Sequence, residues 1–258
     1  MNKIYCMDAL ELLRQIPDNS INLMVTSPPY NASRPYDIYN DNINFSDYIG
    51  CLNKIWQECI RILAPDGKLV INIADQYSRT KEYGLRFCLA NHYHILKFFE
   101  NKLYHYDTII WQKNRFSNIT GGKPLFGSYP YPTNFLFLSN YEYILVFKKQ
   151  GKRQINREIK EKSRVLKKEF FEYTKGVWIF NGESSSNHPA IFPEELPKRC
   201  IKLLSFYQDI VIDPFCGIGT TCLVAKQLGR KFIGCDISQE YVNIANKRLS
   251  QEVLNFNI

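Results

Sequence analysis

The chain has 258 residues, 45% hydrophobic and 22% charged, with a net charge of +8; this is the composition of a globular protein with a sizeable core, which excludes a disordered chain. No apolar run is long enough to span a bilayer, and the first residues lack the basic-then-apolar pattern of a secretory signal. The eight cysteines form no C-x-x-C pair and no Cys/His spacing that suits zinc, so a reduced, cytoplasmic protein without a metal is expected, and its basic balance admits nucleic acid, an acidic membrane surface or an acidic partner.

In chain order, residues 4–5 predict a short strand, 9–15 a helical turn or two, and 21–25 a strand running into Thr26-Ser27-Pro28-Pro29-Tyr30. The two prolines end that strand and stiffen the loop after it. Residues 47–63 predict a helix, because Tyr48, Leu52, Ile55, Trp56, Cys59, Ile60 and Leu63 recur on one face. Pro65-Asp66-Gly67 is a turn and 68–73 a buried strand. A helix is expected over 83–101, with strands at 108–111 and 143–147.

The texture changes between residues 115 and 183, first toward aromatic, Gly, Pro and Asn residues, then toward Lys and Arg. From Lys148 to Lys175 eleven basic residues stand against four acidic ones, so this stretch carries most of the excess charge. A mixed charge run is ordinarily a solvated helical face, but this imbalance also suits phosphate contact. From residue 188 the α/β texture returns: a helix at 193–205, a strand at 210–213, a helix at 220–228, a strand at 231–235 and a helix at 239–249. Alternating strands and helices predict an α/β fold with a mostly parallel sheet.

Two constellations carry chemistry. In Asp213-Pro-Phe-Cys-Gly-Ile-Gly-Thr-Thr221, a strand runs through a glycine turn into a helix. Gly217 and Gly219 let backbone approach a ligand, Thr220 or Thr221 can cap the helix, and Asp236, ending the next strand, suits a ribose diol. The third glycine of a dinucleotide fingerprint is replaced by Cys222, and Asp213 would repel a pyrophosphate. A ligand bearing an amino group and a sulfonium fits better. In the second constellation, Ser27 and the Pro28 carbonyl offer acceptors beside the Tyr30 ring. That is a slot for a planar group carrying an NH2, although for such a tetrapeptide alone a rigid loop with a packing tyrosine is the favoured reading.

Together the two blocks resemble the amino-methyltransferase family of DNA enzymes: Ser27-Pro28-Pro29-Tyr30 is similar to its catalytic motif and the Asp213 block to its cofactor motif. The catalytic block comes first, as in the circularly permuted beta class. The resemblance implies a Rossmann-like α/β sheet with a catalytic half at 1–114, a target-recognition insertion at 115–187 that includes the basic stretch 148–175, and a cofactor-binding half at 188–258. It implies S-adenosylmethionine as cofactor, with Asp213, Phe215, Gly217, Gly219 and Thr220 at its methionine end and Asp236 on its ribose. Asp8 would lie near its adenine, and His188, Pro189 and Phe192 would close the pocket. Ser27, Pro28, Pro29 and Tyr30 would hold a base flipped from double-stranded DNA. Lys113, Arg115, Lys123, Lys148, Lys149, Lys152, Arg153, Arg157, Lys160, Arg164, Lys167 and Lys168 are the candidate phosphate contacts.

In this family Ser at position 27 usually accompanies cytosine N4 as target, and many members carry Asp or Asn there, so adenine N6 is the rival. RNA, a protein amide, or a non-catalytic DNA-binding module are further readings. Family analogy adds a prokaryotic restriction-modification system with a partner endonuclease. Monomer and homodimer are both open.

Overall fold

The computed structural model describes residues 1–31, 38, 43–79, 86–113, 139–182 and 193–251. Its centre is an eight-stranded sheet. In chain order the elements are β1 (Lys3–Cys6), α1 (Ala9–Gln15), β2 (Ile21–Thr26), α2 (Phe45–Ile62), β3 (Leu63–Ile73), β4 (Gln76–Arg79), β5 (Arg86–Leu89), α3 (Asn91–Phe99), β6 (Tyr104–Gln112) and β7 (Tyr141–Lys148). Then come α4 (Arg157–Lys162), α5 (Lys167–Tyr173), β8 (Val177–Ile179), α6 (Glu195–Leu204), β9 (Ile210–Asp213), α7 (Thr220–Gln227), β10 (Lys231–Asp236) and α8 (Gln239–Ser250).

The sheet order is β1-β10-β9-β2-β3-β7-β6-β8. Every neighbouring pair is parallel except the two that involve β7, so β7 alone runs against the rest. The mostly parallel sheet expected from the alternating texture is therefore present. Side chains alternate across the strands. Met24, Leu69, Ile71, Leu145 and Ile212 pack with α1, α2 and α3, while Leu23, Val25, Val70, Ile144 and Val211 pack with α6, α7 and α8. The result is three layers, with helices on both faces.

Topology fixes where a ligand can sit. From β9 the chain steps through α7 to β10 on one side, and from β2 through α2 to β3 on the other. The connections diverge between β9 and β2. In open α/β sheets a crevice opens there, beyond the carboxyl ends of the strands.

Several expectations change. The Pro65-Asp66-Gly67 turn is a bulge inside β3: Ile21 pairs with Leu63 but Leu23 with Lys68, and Asp66 has φ +66. The helix expected at 83–101 starts only at Asn91, after the β4–β5 hairpin; Leu85, Phe87 and Leu89 alternate in sequence, which is a strand period, not a helical one. Within the 115–187 stretch, residues 141–148 and 177–179 are β7 and β8 of the central sheet. The basic stretch inside it folds into α4 and α5. Among the described residues, no helix is long and apolar enough to cross a membrane.

Candidate active site

Five strands bring their carboxyl ends to one edge. Reading across it, β1 leads to Asp8, β10 ends at Asp236, β9 ends at Asp213, β2 ends at Thr26 and β3 carries Asn72 near its end. Cys6 pairs with Asp236 across β1 and β10, which places Asp8 beside the Asp236 strand.

Asp213 joins the two halves of the chain. It is 1% exposed, and Thr26 Oγ1 donates to its Oδ1 at 2.7 Å. Thr221 Oγ1 donates to Oδ2 at 2.7 Å and the Phe215 N–H to Oδ1 at 3.1 Å. The carboxylate thus holds the turn and the two strands together and faces inward. Burial raises its pKa to about 6, and the hydrogen bonds from Thr26, Thr221 and Phe215 act the other way. The folded state therefore holds this proton more tightly than the unfolded chain does. The group's stabilising contribution is full below about pH 4 and is lost as pH rises through 6, a difference on the order of 3 kcal/mol. An Asn at 213 could accept from Thr26 and donate to Thr221, whose hydroxyl can turn to the Val25 carbonyl at 3.4 Å. Urea unfolding should show Asp213→Asn at least as stable as the parent at pH 8, with that advantage shrinking between pH 6 and 4. A constant difference across this range would refute the assignment.

The turn after Asp213 is built on two glycines with positive φ, +49 at Gly217 and +79 at Gly219. Gly217 N–H donates to Asp236 Oδ2 at 3.1 Å, and Ser238 N–H to Asp236 Oδ1 at 2.9 Å. Gly219 serves packing more than ligand approach: a Cβ there would lie 2.8 Å from the Ala245 Cβ. It is also the N-cap of α7. Neither threonine caps that helix, contrary to the sequence expectation. Thr221 serves Asp213, and Thr220 accepts from Arg248 Nη1 at 3.1 Å. Asp8 caps α1, accepting from the Leu10 and Glu11 N–H groups.

On the β2 side, the Ser27–Tyr30 loop is held from several elements. Tyr48 Oη donates to the Pro29 carbonyl at 2.9 Å, and Asn91 Nδ2 to the Tyr30 carbonyl at 3.3 Å. Among the described residues, no donor is paired with the Pro28 carbonyl. The Tyr30 hydroxyl lies 3.0 Å from Ser27 Oγ and 3.0 Å from Glu142 Oε2, and it accepts from Asn72 Nδ2 at 2.6 Å. Asn72 also donates to Glu142 Oε2, at 2.5 Å, and Lys113 forms an ion pair with Glu142 Oε1. Glu142 is 9% exposed and Asn72 2%.

These contacts fix the direction of the hydrogen bonds. A carboxylate only accepts, so in the 3.0 Å contact Tyr30 donates its hydrogen to Glu142, which is nearer and more strongly charged than the alternative acceptor, the Asn72 carbonyl at 3.4 Å. Ser27 must then donate to Tyr30. The outward lone pairs of Ser27 Oγ are left as acceptors, which is what an incoming NH2 group needs. Thr26, next to Ser27, is bonded to Asp213, which brings the chain segments that carry the two motifs side by side although 187 positions separate those two residues.

The N6_N4_Mtase family, described as DNA methylase, matches residues 21–247. The chain belongs to this family. Among relatives of the methylase, Type II methyltransferase M.MthZI of Methanothermobacter thermautotrophicus is 31% identical over 97% of this chain and 77% of its own. Type II methyltransferase M.HpaI of Haemophilus parainfluenzae is 30% identical over 98% and 76%. Of solved structures, protein TTHA0409 of Thermus thermophilus, complexed with S-adenosyl-L-methionine, superposes with a TM-score of 0.80 at 30% identity, covering 99% of this chain and 96% of that one. PvuII DNA methyltransferase shares the fold, with a TM-score of 0.71 at 23% identity over 99% and 87%.

The methylase uses S-adenosylmethionine, and the residues at the crevice fit it. The cofactor edge carries Asp8 and Asp236 beside the half-buried Phe215, with Asp213 buried behind the turn. An acceptor-rich, acidic edge suits a cationic ligand with hydroxyl and amino donors, and opposes a pyrophosphate. Asp236 accepts from the Gly217 and Ser238 N–H groups, which fixes its carboxylate at the end of β10. His188, Pro189, Phe192, Arg115 and Lys123 lie outside the described residues.

The basic stretch of the methylase is placed differently from the expectation. Lys148 ends β7, at the edge of the sheet opposite Ser27. It pairs with Asp66 at 2.9 Å, and Lys149 Nζ donates to the Ile60 and Leu63 carbonyls, both at 2.7 Å. Arg153 grips Asp209 with two bonds of 2.8 and 2.6 Å. These three charges tie the fold together. Arg164 lies 3.6 Å from Glu161, and Lys167 lies over the Phe171 ring. Lys152, Arg157, Lys160 and Lys168 are exposed. Lys113 does lie at the site, paired with Glu142. Sequence reasoning missed Asn72 and Glu142.

Proposed function

We propose that this DNA methylase is site-specific and methylates the exocyclic N4 of cytosine in double-stranded DNA, as the modifying partner of a restriction endonuclease. The observation that carries the reading is the 3.0 Å contact between Ser27 Oγ and the Tyr30 hydroxyl: with Tyr30 donating to Glu142, Ser27 donates to Tyr30 and keeps an acceptor for an amino group. In the family that this chain resembles, Ser at this position accompanies cytosine N4. S-adenosylmethionine supplies the electrophilic methyl group.

The protein's own residues do the positioning. Tyr30, its hydroxyl anchored by Asn72 and Glu142, presents a fixed ring for the flipped base to stack on. Ser27 Oγ and the Pro28 carbonyl accept from the amino group and draw its lone pair out of conjugation with the ring. Orientation and electrostatics, not a strong base, then carry most of the catalysis. Asp236 and Asp8 bind the nucleoside end of the cofactor, while Phe215 and Gly217 lie along its methionine end.

Target reading is assigned to the connection between β6 and β7. Gln112 ends β6 and Tyr141 starts β7 on the edge that carries Ser27, so this connection is tethered beside the site. Asp236→Ala should weaken S-adenosylmethionine binding at least about tenfold, or ~1.4 kcal/mol; unchanged affinity by calorimetry would remove Asp236 from the pocket.

The function is tested with methyl-tritiated S-adenosylmethionine and duplex DNA of mixed sequence, followed by digestion to nucleosides. Label in N4-methylcytosine supports the proposal. Label in N6-methyladenine replaces the target, and label only in RNA or protein overturns DNA as substrate.

A further inference from the structure

The buried Glu142 is unexplained by positioning alone. Asn72 already fixes the Tyr30 hydroxyl, and taking a carboxylate out of water is costly unless it is paired. Here it is paired, by Lys113, and it receives hydrogens from Tyr30 and Asn72. What the carboxylate adds is the capacity to accept a proton.

Ser27, Tyr30 and Glu142 form an unbroken line. Ser27 Oγ to Tyr30 Oη is 3.0 Å, and Tyr30 Oη to Glu142 Oε2 is 3.0 Å. Both hydrogens point toward Glu142, because the carboxylate can only accept. Ser27 is a poor base and cannot keep a proton unless it passes its own hydrogen on. We propose that Glu142 is the terminal proton acceptor of the methyl transfer, reached from the target nitrogen through Ser27 and Tyr30. The inference rests on the amino-methylation reading.

Atoms and charge balance along this route. The N–CH3 bond forms as the sulfonium S–CH3 bond breaks, and the nitrogen becomes positive with one hydrogen too many. That proton passes to Ser27 Oγ, the Ser27 hydrogen to Tyr30 Oη and the Tyr30 hydrogen to Glu142 Oε2. Ser27 and Tyr30 end as they began, each with a new hydrogen. Glu142 ends neutral, and the Lys113 ammonium, left without its counter-charge, favours release of the proton to water. Lys113 is 31% exposed along its side chain, so water reaches that end of the line.

Among the described residues, three groups bear on Glu142. Tyr30 reaches it from the loop after β2, Asn72 from β3 and Lys113 from the end of β6. The Asp75–His92 pair, at 2.7 Å, belongs to the other face of β7: the His92 ring stacks on Tyr143, whose side chain points away from that of Glu142.

The test uses full-length protein with Tyr30→Phe and Glu142→Gln. Tyr30→Phe keeps the ring and breaks the line, so it decides the matter even if Glu142→Gln does not fold. Calorimetry should show S-adenosylmethionine binding unchanged in both. Single-turnover transfer should fall at least about tenfold near pH 7, and should climb roughly tenfold per pH unit as hydroxide takes over. The double variant should be no slower than the slower single one. Infrared difference spectra with labelled glutamate should show a protonated carboxyl forming during turnover in the parent protein and not in Tyr30→Phe. A Tyr30→Phe variant with the parent's rate and pH profile, or a parent without that band, overturns the relay. If the parent transfers no label to DNA at all, it is the amino-methylation reading that fails.

Discussion

Ser27→Ala lowers single-turnover methyl transfer by roughly 10²–10³-fold, the usual effect of removing one preorganised hydrogen-bonding group from a reacting centre. The affinity for S-adenosylmethionine stays within about twofold, because Ser27 lies on the β2 side of the crevice and not on the β9–β10 side. The physical reason is the one hydrogen that Tyr30 owns. Glu142 takes it, Ser27 must supply the next, and its lone pairs face the target amino group. Alanine leaves the base stacked but its amino group still conjugated with the ring. Transfer within about threefold of the parent, with unchanged cofactor binding, would show that the Pro28 carbonyl suffices.

Gly219→Ala is the second large effect, and it falls on stability. Gly219 has φ +79, where a Cβ costs about 1–2 kcal/mol. That Cβ would also lie 2.8 Å from the Ala245 Cβ and 3.2 Å from Ile4 Cδ1, in a packed core where overfilling costs about 1–3 kcal/mol. The sum, about 2–5 kcal/mol, should lower Tm by roughly 10 °C. Adding Ala245→Gly should return the steric part and leave the backbone part. Thermal unfolding measures both, and a Gly219→Ala protein with the parent's Tm would show that the turn adapts freely.

Much of the fold was legible because it repeats simple periods. The apolar face of α2, from Tyr48 to Cys59, gives itself away by helical spacing, and β9, α7 and β10 by the run from Ile210 through the glycine turn to Asp236. The hairpin of β4 and β5 was missed because the alternation of Leu85, Phe87 and Leu89 is short and runs straight into the helical residues from Asn91. The helices of the basic stretch were hidden by charge, since α4 buries no residue and is held by pairs such as Glu158–Lys162.

At the site, the loop motifs were legible and their support was not. Asn72 and Glu142 are single polar residues inside otherwise apolar strands, Leu-Val-Ile-Asn-Ile and Tyr-Glu-Tyr-Ile-Leu-Val-Phe. The available signal was the cost of putting an amide or a carboxylate in such a run. What no single sequence shows is that β3 and β7 lie side by side and direct both groups at Tyr30. The intramolecular partners of Lys148, Lys149 and Arg153 were hidden for a related reason: Asp66, Asp209 and the end of α2 are distant in sequence.

The pairing of the first strand with the last has a consequence for synthesis. Lys3 finds its partner Ile233, and Leu23 its partner Val211, only after nearly the whole polypeptide has left the ribosome. Until then β2 presents a bare edge where β9 belongs, and such long-range closure is slow and prone to wrong association. A nascent chain thus cannot form the crevice between β2 and β9 until β9 has been made, and slowing translation just before Ile210 should lengthen the interval in which chaperones hold it.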